Sequence, residues 1–141
     1  RFFNWQALSL RASLIVVVVL MSPFKGQTGL KRILNASGYS MAGLQAAFTG
    51  EAAFRQLVLL NVVLIPLAFY FDVTRGERAL LIAACLLALI VELINSAIEA
   101  AIDRISLELH PLSKNAKDMG SAAQFVALSL IGSVWAVILL G

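Results

Sequence analysis

The sequence predicts an all-α membrane protein, with an N-terminal amphipathic surface helix followed by three transmembrane helices. Three observations predict it. Hydrophobic residues make up 60% of the 141 positions and charged residues only 13%, with a mean hydropathy of +0.90, whereas a soluble domain is about half apolar and about a quarter charged. Apolar runs near spanning length recur between short polar segments. The basic residues are lopsided: residues 1–50 carry Arg1, Arg11, Lys25, Lys31 and Arg32 and no acid, the pattern of a cytoplasmic flank. The length allows one domain and excludes a large α/β enzyme or a multidomain receptor. The single cysteine, Cys85, excludes a disulfide framework and a cysteine-based metal site. The basic pI near 9.4 is read as topology and attraction to anionic headgroups. No basic stripe interleaves with aromatics, so nucleic acid is not an expected partner.

The elements follow in chain order. The apolar run from Ser13 to Met21 is too short to span a hydrocarbon layer of roughly 30 Å. No small-residue cleavage pattern follows it, and Met21 stands available as a start. Residues 1–20 are therefore expected to be an upstream extension, not part of the working domain. Residues 28–49 read as the surface helix. Leu30, Ile33, Leu34, Met41, Leu44 and Phe48 share one stripe, with Lys31, Arg32, Asn35 and Tyr39 outside it. Gly50 is expected to break it.

The first span is expected at about 52–71, with Arg55 snorkelling and Pro66 kinking it. Asp72 to Arg78 reads as a polar turn, and the second span as about 79–105. The third span, about 115–140, is expected to be N-capped by Ser113. This topology sets the N-terminus and the 104–117 segment inside the cell, and the 72–78 turn and the C-terminus outside.

The informative feature is a polar stripe on the second span. Glu92, Asn95, Glu99 and Asp103 lie at i, i+3, i+7 and i+11, within about 80° of one another at 100° per residue. The thirteen apolar residues from Ala79 to Val91 cover about 20 Å, which leaves Glu92 roughly 10 Å short of the inner boundary. Glu99 then falls near that boundary and Asp103 just beyond it. An ionisable group inside the bilayer is a functional hypothesis by default. Carboxylates at the boundary can hold Mg²⁺ and, through it, nucleotide phosphates. A deeper, desolvated carboxylate can act as a base on a hydroxyl held at headgroup level. Glu51 adds an acid where the surface helix meets the first span. Lys117 and Asp118 add a phosphate-binding point charge and an acid at the start of the third span. No G-x-x-x-x-G-K spacing occurs, which excludes a P-loop.

The segments GEAAFRQ (50–56), VELINSAIEAAIDRIS (91–106) and HPLSKNAKDMGSAA (110–123) closely resemble the small prokaryotic diacylglycerol kinases, from about Gly29 to Gly141; the resemblance implies a kinase domain over 29–141 and leaves residues 1–28 as an N-terminal extension. The resemblance implies an integral kinase of the bacterial inner membrane that phosphorylates diacylglycerol with MgATP to give phosphatidic acid. It also implies a homotrimer whose active sites are shared between subunits at the cytoplasmic face. By motif position Glu92 resembles the catalytic base, with Asn95 in the same constellation. Glu51 and Glu99 resemble the metal ligands. Arg32, Tyr39, Glu108, His110, Lys117 and Asp118 resemble nucleotide-contacting positions, and Ser121 lies on the lipid side, with Arg32 and Glu92 also facing the lipid substrate. One departure is on the surface helix, where Met41, Ala42, Gln45 and Phe48 stand in place of the family's frequent tryptophan and further basic residues.

Alternative readings are an undecaprenol kinase, a small proton- or cation-coupled transporter built around Glu92, and a structural oligomeric membrane protein. A transporter has no need for Glu51, Lys117 and Asp118 together near one face. A purely structural protein leaves the acids unexplained.

Overall fold

The computed structural model describes residues 29–106 and 108–141, so the expectation of an extension over residues 1–28 lies outside the described residues. Four α-helices and no strand are found among them: α1 (Leu30–Gly50), α2 (Ala52–Tyr70), α3 (Arg75–Ile105) and α4 (Pro111–Leu140). The last three are each long and apolar enough to cross a membrane. The predicted fold class is therefore the observed one. The described residues fall into two units, with the boundary between Ser40 and Met41 inside α1, and each is described by itself.

The helix ends depart from the sequence reading for identifiable reasons. Helix α1 follows Gly29, whose φ of +74° opens the chain into the first turn. It runs through Gly50, and the break falls at Glu51, in extended conformation. Helix α3 starts a turn earlier than expected. Thr74 Oγ1 accepts from Glu77 N and the Glu77 carboxylate accepts from Thr74 N, a capping box. The polar residues 75–78, expected as turn, are the helix's first turn. Helix α4 is capped by His110, not Ser113. Its Nδ1 accepts from Leu112 N at 3.2 Å, and Pro111 at N1 has no N–H to satisfy. Helix α2 continues through Pro66.

In the second unit α3 packs against both α2 and α4. The core at these contacts is built largely of small side chains, Ala68, Ala84, Cys85, Ala88 and Ala127, with Leu57, Leu81, Ile131 and Trp135. Small residues let helix backbones approach in the absence of a hydrophobic driving force. Phe71 meets Trp135 edge-on at 6.5 Å. Two arginines tie each helix to its predecessor. Arg55 donates to the carbonyls of Phe48 and Thr49 at the end of α1, a more specific duty than snorkelling. Arg78 donates to those of Ala68 and Phe71 at the end of α2 and of Val73 in the linker beyond it. Both arginines thus reach carbonyls at a helix C-terminus, where intrahelical partners run out.

Most of the apolar surface of the spans is not consumed within the protomer. Leu59, Val62, Val63, Phe69, Phe125, Val126 and Val137 are exposed, as lipid-facing side chains are. The apolar stripe of α1 is exposed along its length too.

Candidate active site

The acidic stripe sits on the half of α3 that ends at Ile105. Glu92 is its buried member, at 4% exposure. With Asn61 it makes up the buried polar residues of the described chain. Asn61 is a helix-internal case, its Nδ2 donating to Leu57 O at 2.8 Å. Glu92 has no such partner among the described residues. Glu99 follows about two turns further along the same face of α3. Glu51 stands where the chain is extended between α1 and α2. It occupies the N-cap position of α2, yet its side chain makes no capping hydrogen bond, which leaves the carboxylate available.

Asn95 lies between Glu92 and Glu99 on the same face. Its Nδ2 donates to Glu99 Oε1 at 3.0 Å, an i,i+4 pair that fixes one carboxylate oxygen. Its Oδ1 is buried with no hydrogen-bond partner. Of the sequence-predicted group, Glu92, Asn95 and Glu99 thus share one face of α3, while Glu51 stands at the N-cap of α2. Carboxylates of this kind suit a hard cation. Among the described residues no three His, Cys, Asp or Glu side chains form a ready cage for a metal. Mg²⁺ commonly takes one or two carboxylates and completes its shell with water and substrate phosphates, so this donor set fits it.

A second group lies at the α3–α4 junction, a groove of about 830 Å³. Asp103, Glu108, His110, Lys117 and Asp118 all line it, so four of the predicted nucleotide positions converge. The cations there are already engaged. Lys117 Nζ donates to Asp103 Oδ1 at 2.5 Å, tying α4 to the stripe on α3. Lys114 Nζ pairs with Asp118 Oδ2 at 2.5 Å. His110 doubles as the α4 cap. Ser121 is exposed, one position past a buried glycine, Gly120. Arg32 and Tyr39 are exposed on α1 in the first unit.

Sequence reasoning missed Lys114, Asn115 and Ser113 as groove-lining residues, the Asp103–Lys117 tie and the burial of Gly120. A glycine inside a spanning helix was the available signal for the last, because such a residue marks a close approach of backbones.

The family model of prokaryotic diacylglycerol kinase matches residues 38–139. The chain belongs to that family. A diacylglycerol kinase of Pseudomonas aeruginosa is 82% identical over 120 residues, covering 85% of this chain and 98% of that one. Those of Haemophilus influenzae and Escherichia coli K12 are each 47% identical over 112 residues, 79% of this chain and 95% and 92% of theirs. The segment matched by the prokaryotic diacylglycerol kinase model contains both groups, the acidic stripe and the groove; of the predicted site residues Arg32 alone precedes it.

Proposed function

We propose that this chain transfers the γ-phosphoryl group of MgATP to the free hydroxyl of diacylglycerol, yielding phosphatidic acid and ADP at the cytoplasmic face of the bacterial inner membrane. Family membership makes it a diacylglycerol kinase, a lipid kinase carried on three apolar helices. The relatives share the name diacylglycerol kinase, so the undecaprenol and transporter readings are not favoured.

The observation that carries the mechanism is Glu92, buried and without a hydrogen bond among the described residues, on the face of α3 that also carries Asn95 and Glu99. A carboxylate with no partner is free to accept a proton. Glu92 takes the proton of the lipid hydroxyl, that oxygen forms a bond to the γ-phosphorus, and the bond from phosphorus to the bridging oxygen breaks, releasing ADP. Glu51 and Glu99 are the residues that would hold Mg²⁺, with Asn95 orienting Glu99. When bound, the metal neutralises charge on the phosphates. Glu108, His110, Lys117 and Asp118 take the nucleotide in the α3–α4 groove, and by the family resemblance Arg32 and Tyr39 of α1 are nucleotide-contacting positions. Ser121 and Arg32 face the lipid.

The working domain is residues 29–141, assembled as a homotrimer. The exposed apolar faces of the spans supply surface for such an assembly. The N-terminus and the α3–α4 junction are cytoplasmic and the C-terminus periplasmic, by the basic flank of α1. The test is phosphate transfer from γ-labelled ATP to diacylglycerol in mixed micelles. Labelled phosphatidic acid is the expected product. Label in a polyprenol but not in diacylglycerol would overturn the substrate assignment.

A further inference from the structure

Most glycines of the described chain have open space where a side chain would go: at Gly38, Gly43, Gly50, Gly76 and Gly132 a Cβ would meet nothing within 4 Å. Gly120 is different. It is buried on α4, and a Cβ there would run into the Asn95 side chain, overlapping Oδ1 and coming within 3.1 Å of Cγ and 3.8 Å of Cβ. No atom of any other residue is among the nearest to that Cβ. The space that glycine leaves empty is therefore filled by the Asn95 amide.

This contact explains the odd hydrogen bonding of Asn95. Its Oδ1 is buried without a partner because it is seated against the Gly120 backbone. Its Nδ2 is thereby turned along α3 to Glu99 Oε1, 3.0 Å away. A buried amide oxygen without a partner is costly, so the arrangement persists only while the backbone of α4 is close enough to hold it. From this geometry we infer that Gly120 is a positioning residue for phosphoryl transfer. It admits the Asn95 amide between α3 and α4, and so fixes the direction of the Glu99 carboxylate without touching substrate. The inference rests on the reading that Asn95 and Glu99 belong to the reacting site.

Helix propensity alone favours alanine over glycine, so a mere spacer at position 120 would tolerate Gly120→Ala. If Gly120 positions Asn95, the added methyl displaces the amide and releases Glu99. The kcat should then fall roughly 10²-fold, the scale of an ångström-sized misplacement, while KM for diacylglycerol stays within about twofold. The experiment is a double-mutant cycle on detergent-purified protein: Gly120→Ala, Asn95→Ala and the pair, with Gly132→Ala as the control on the same helix. Steady-state kinetics and thermal unfolding are read on each. The pair should be no slower than Asn95→Ala alone, because the collision has been removed, and Gly132→Ala should keep activity within about twofold. Should Gly120→Ala fail to assemble, the pair must assemble normally, since the obstructing atoms are those of Asn95. Near-normal kcat in Gly120→Ala, additive losses in the pair, or failure of both to assemble would overturn the proposal. Full activity in Asn95→Ala would instead overturn the site reading, and this inference with it.

Discussion

The two halves of α3 are built on opposite principles. Near Thr74 the polar groups are saturated. The capping box closes on itself, Arg78 spends its donors on three carbonyls at and just beyond the end of α2, and Leu81, Ala84, Cys85 and Ala88 pack beyond. Further along, around Glu92 and Asn95, polar groups are left open. Glu92 is buried without a hydrogen bond among the described residues, Asn95 Oδ1 has no partner, and Glu51 makes no capping hydrogen bond to α2. Burying a charge or an amide unsatisfied is expensive, and the same helix avoids that expense fifteen residues earlier. The difference teaches that the open half carries polar groups that the chain itself does not satisfy, which is what the proposed phosphoryl-transfer role asks of it.

That contrast can be broken from either end, and the largest effect is expected at Glu92. Glu92→Gln removes an intramembrane charge and keeps the shape, so the fold should be no weaker. The rate should drop by about 10²–10⁴-fold, the usual loss with a general base, while MgATP binds with near-normal affinity. Nucleotide binding and kinase rate on one purified sample check this. Turnover within about threefold of the parent would remove Glu92 from the base role, and joint loss of binding and rate would move it to the nucleotide site.

Next in size is Glu99→Gln. It keeps a hydrogen-bond acceptor for Asn95 and deletes one negative charge from the stripe. Activity should fall by roughly tenfold or more, and the Mg²⁺ concentration for half-maximal rate should rise, since charge neutralisation by the metal is central to this chemistry. A titration of rate against Mg²⁺ decides it, an unchanged midpoint counting against the metal role.

The smallest kinetic effects belong to the saturated half. Arg78→Met should lower the thermal midpoint, because three carbonyls lose a charged donor, at about 1–3 kcal/mol for a hydrogen-bonded charged group. Its kcat at permissive temperature should stay within about twofold. Thr74→Ala, which opens the capping box, should cost about 1 kcal/mol and leave kcat alone. Kinetics and unfolding measured side by side would undo the two-halves picture if either change slowed turnover tenfold in a folded protein.

Much of this was legible before any coordinates. Hydropathy marks three spans because a bilayer tolerates little else, and the spacing of Glu92, Asn95, Glu99 and Asp103 puts them on one face because a helix repeats every 3.6 residues. Helix starts were less legible. Hydropathy begins counting at Ala79, whereas α3 begins at Arg75, because a first helical turn is polar by nature. Ser113 carried the commoner capping side chain, but Pro111 restricts the residue before it to extended backbone, and that residue is His110.

Composition, periodicity and charge placement are properties of the chain read in order, and they determine the membrane class, the helix faces and the acidic stripe. The Lys117–Asp103 tie and the seating of Asn95 against Gly120 join residues from different helices. Their distances depend on how closely α3 and α4 approach, and that is decided by side-chain packing across the helices, which no periodicity along a single helix encodes.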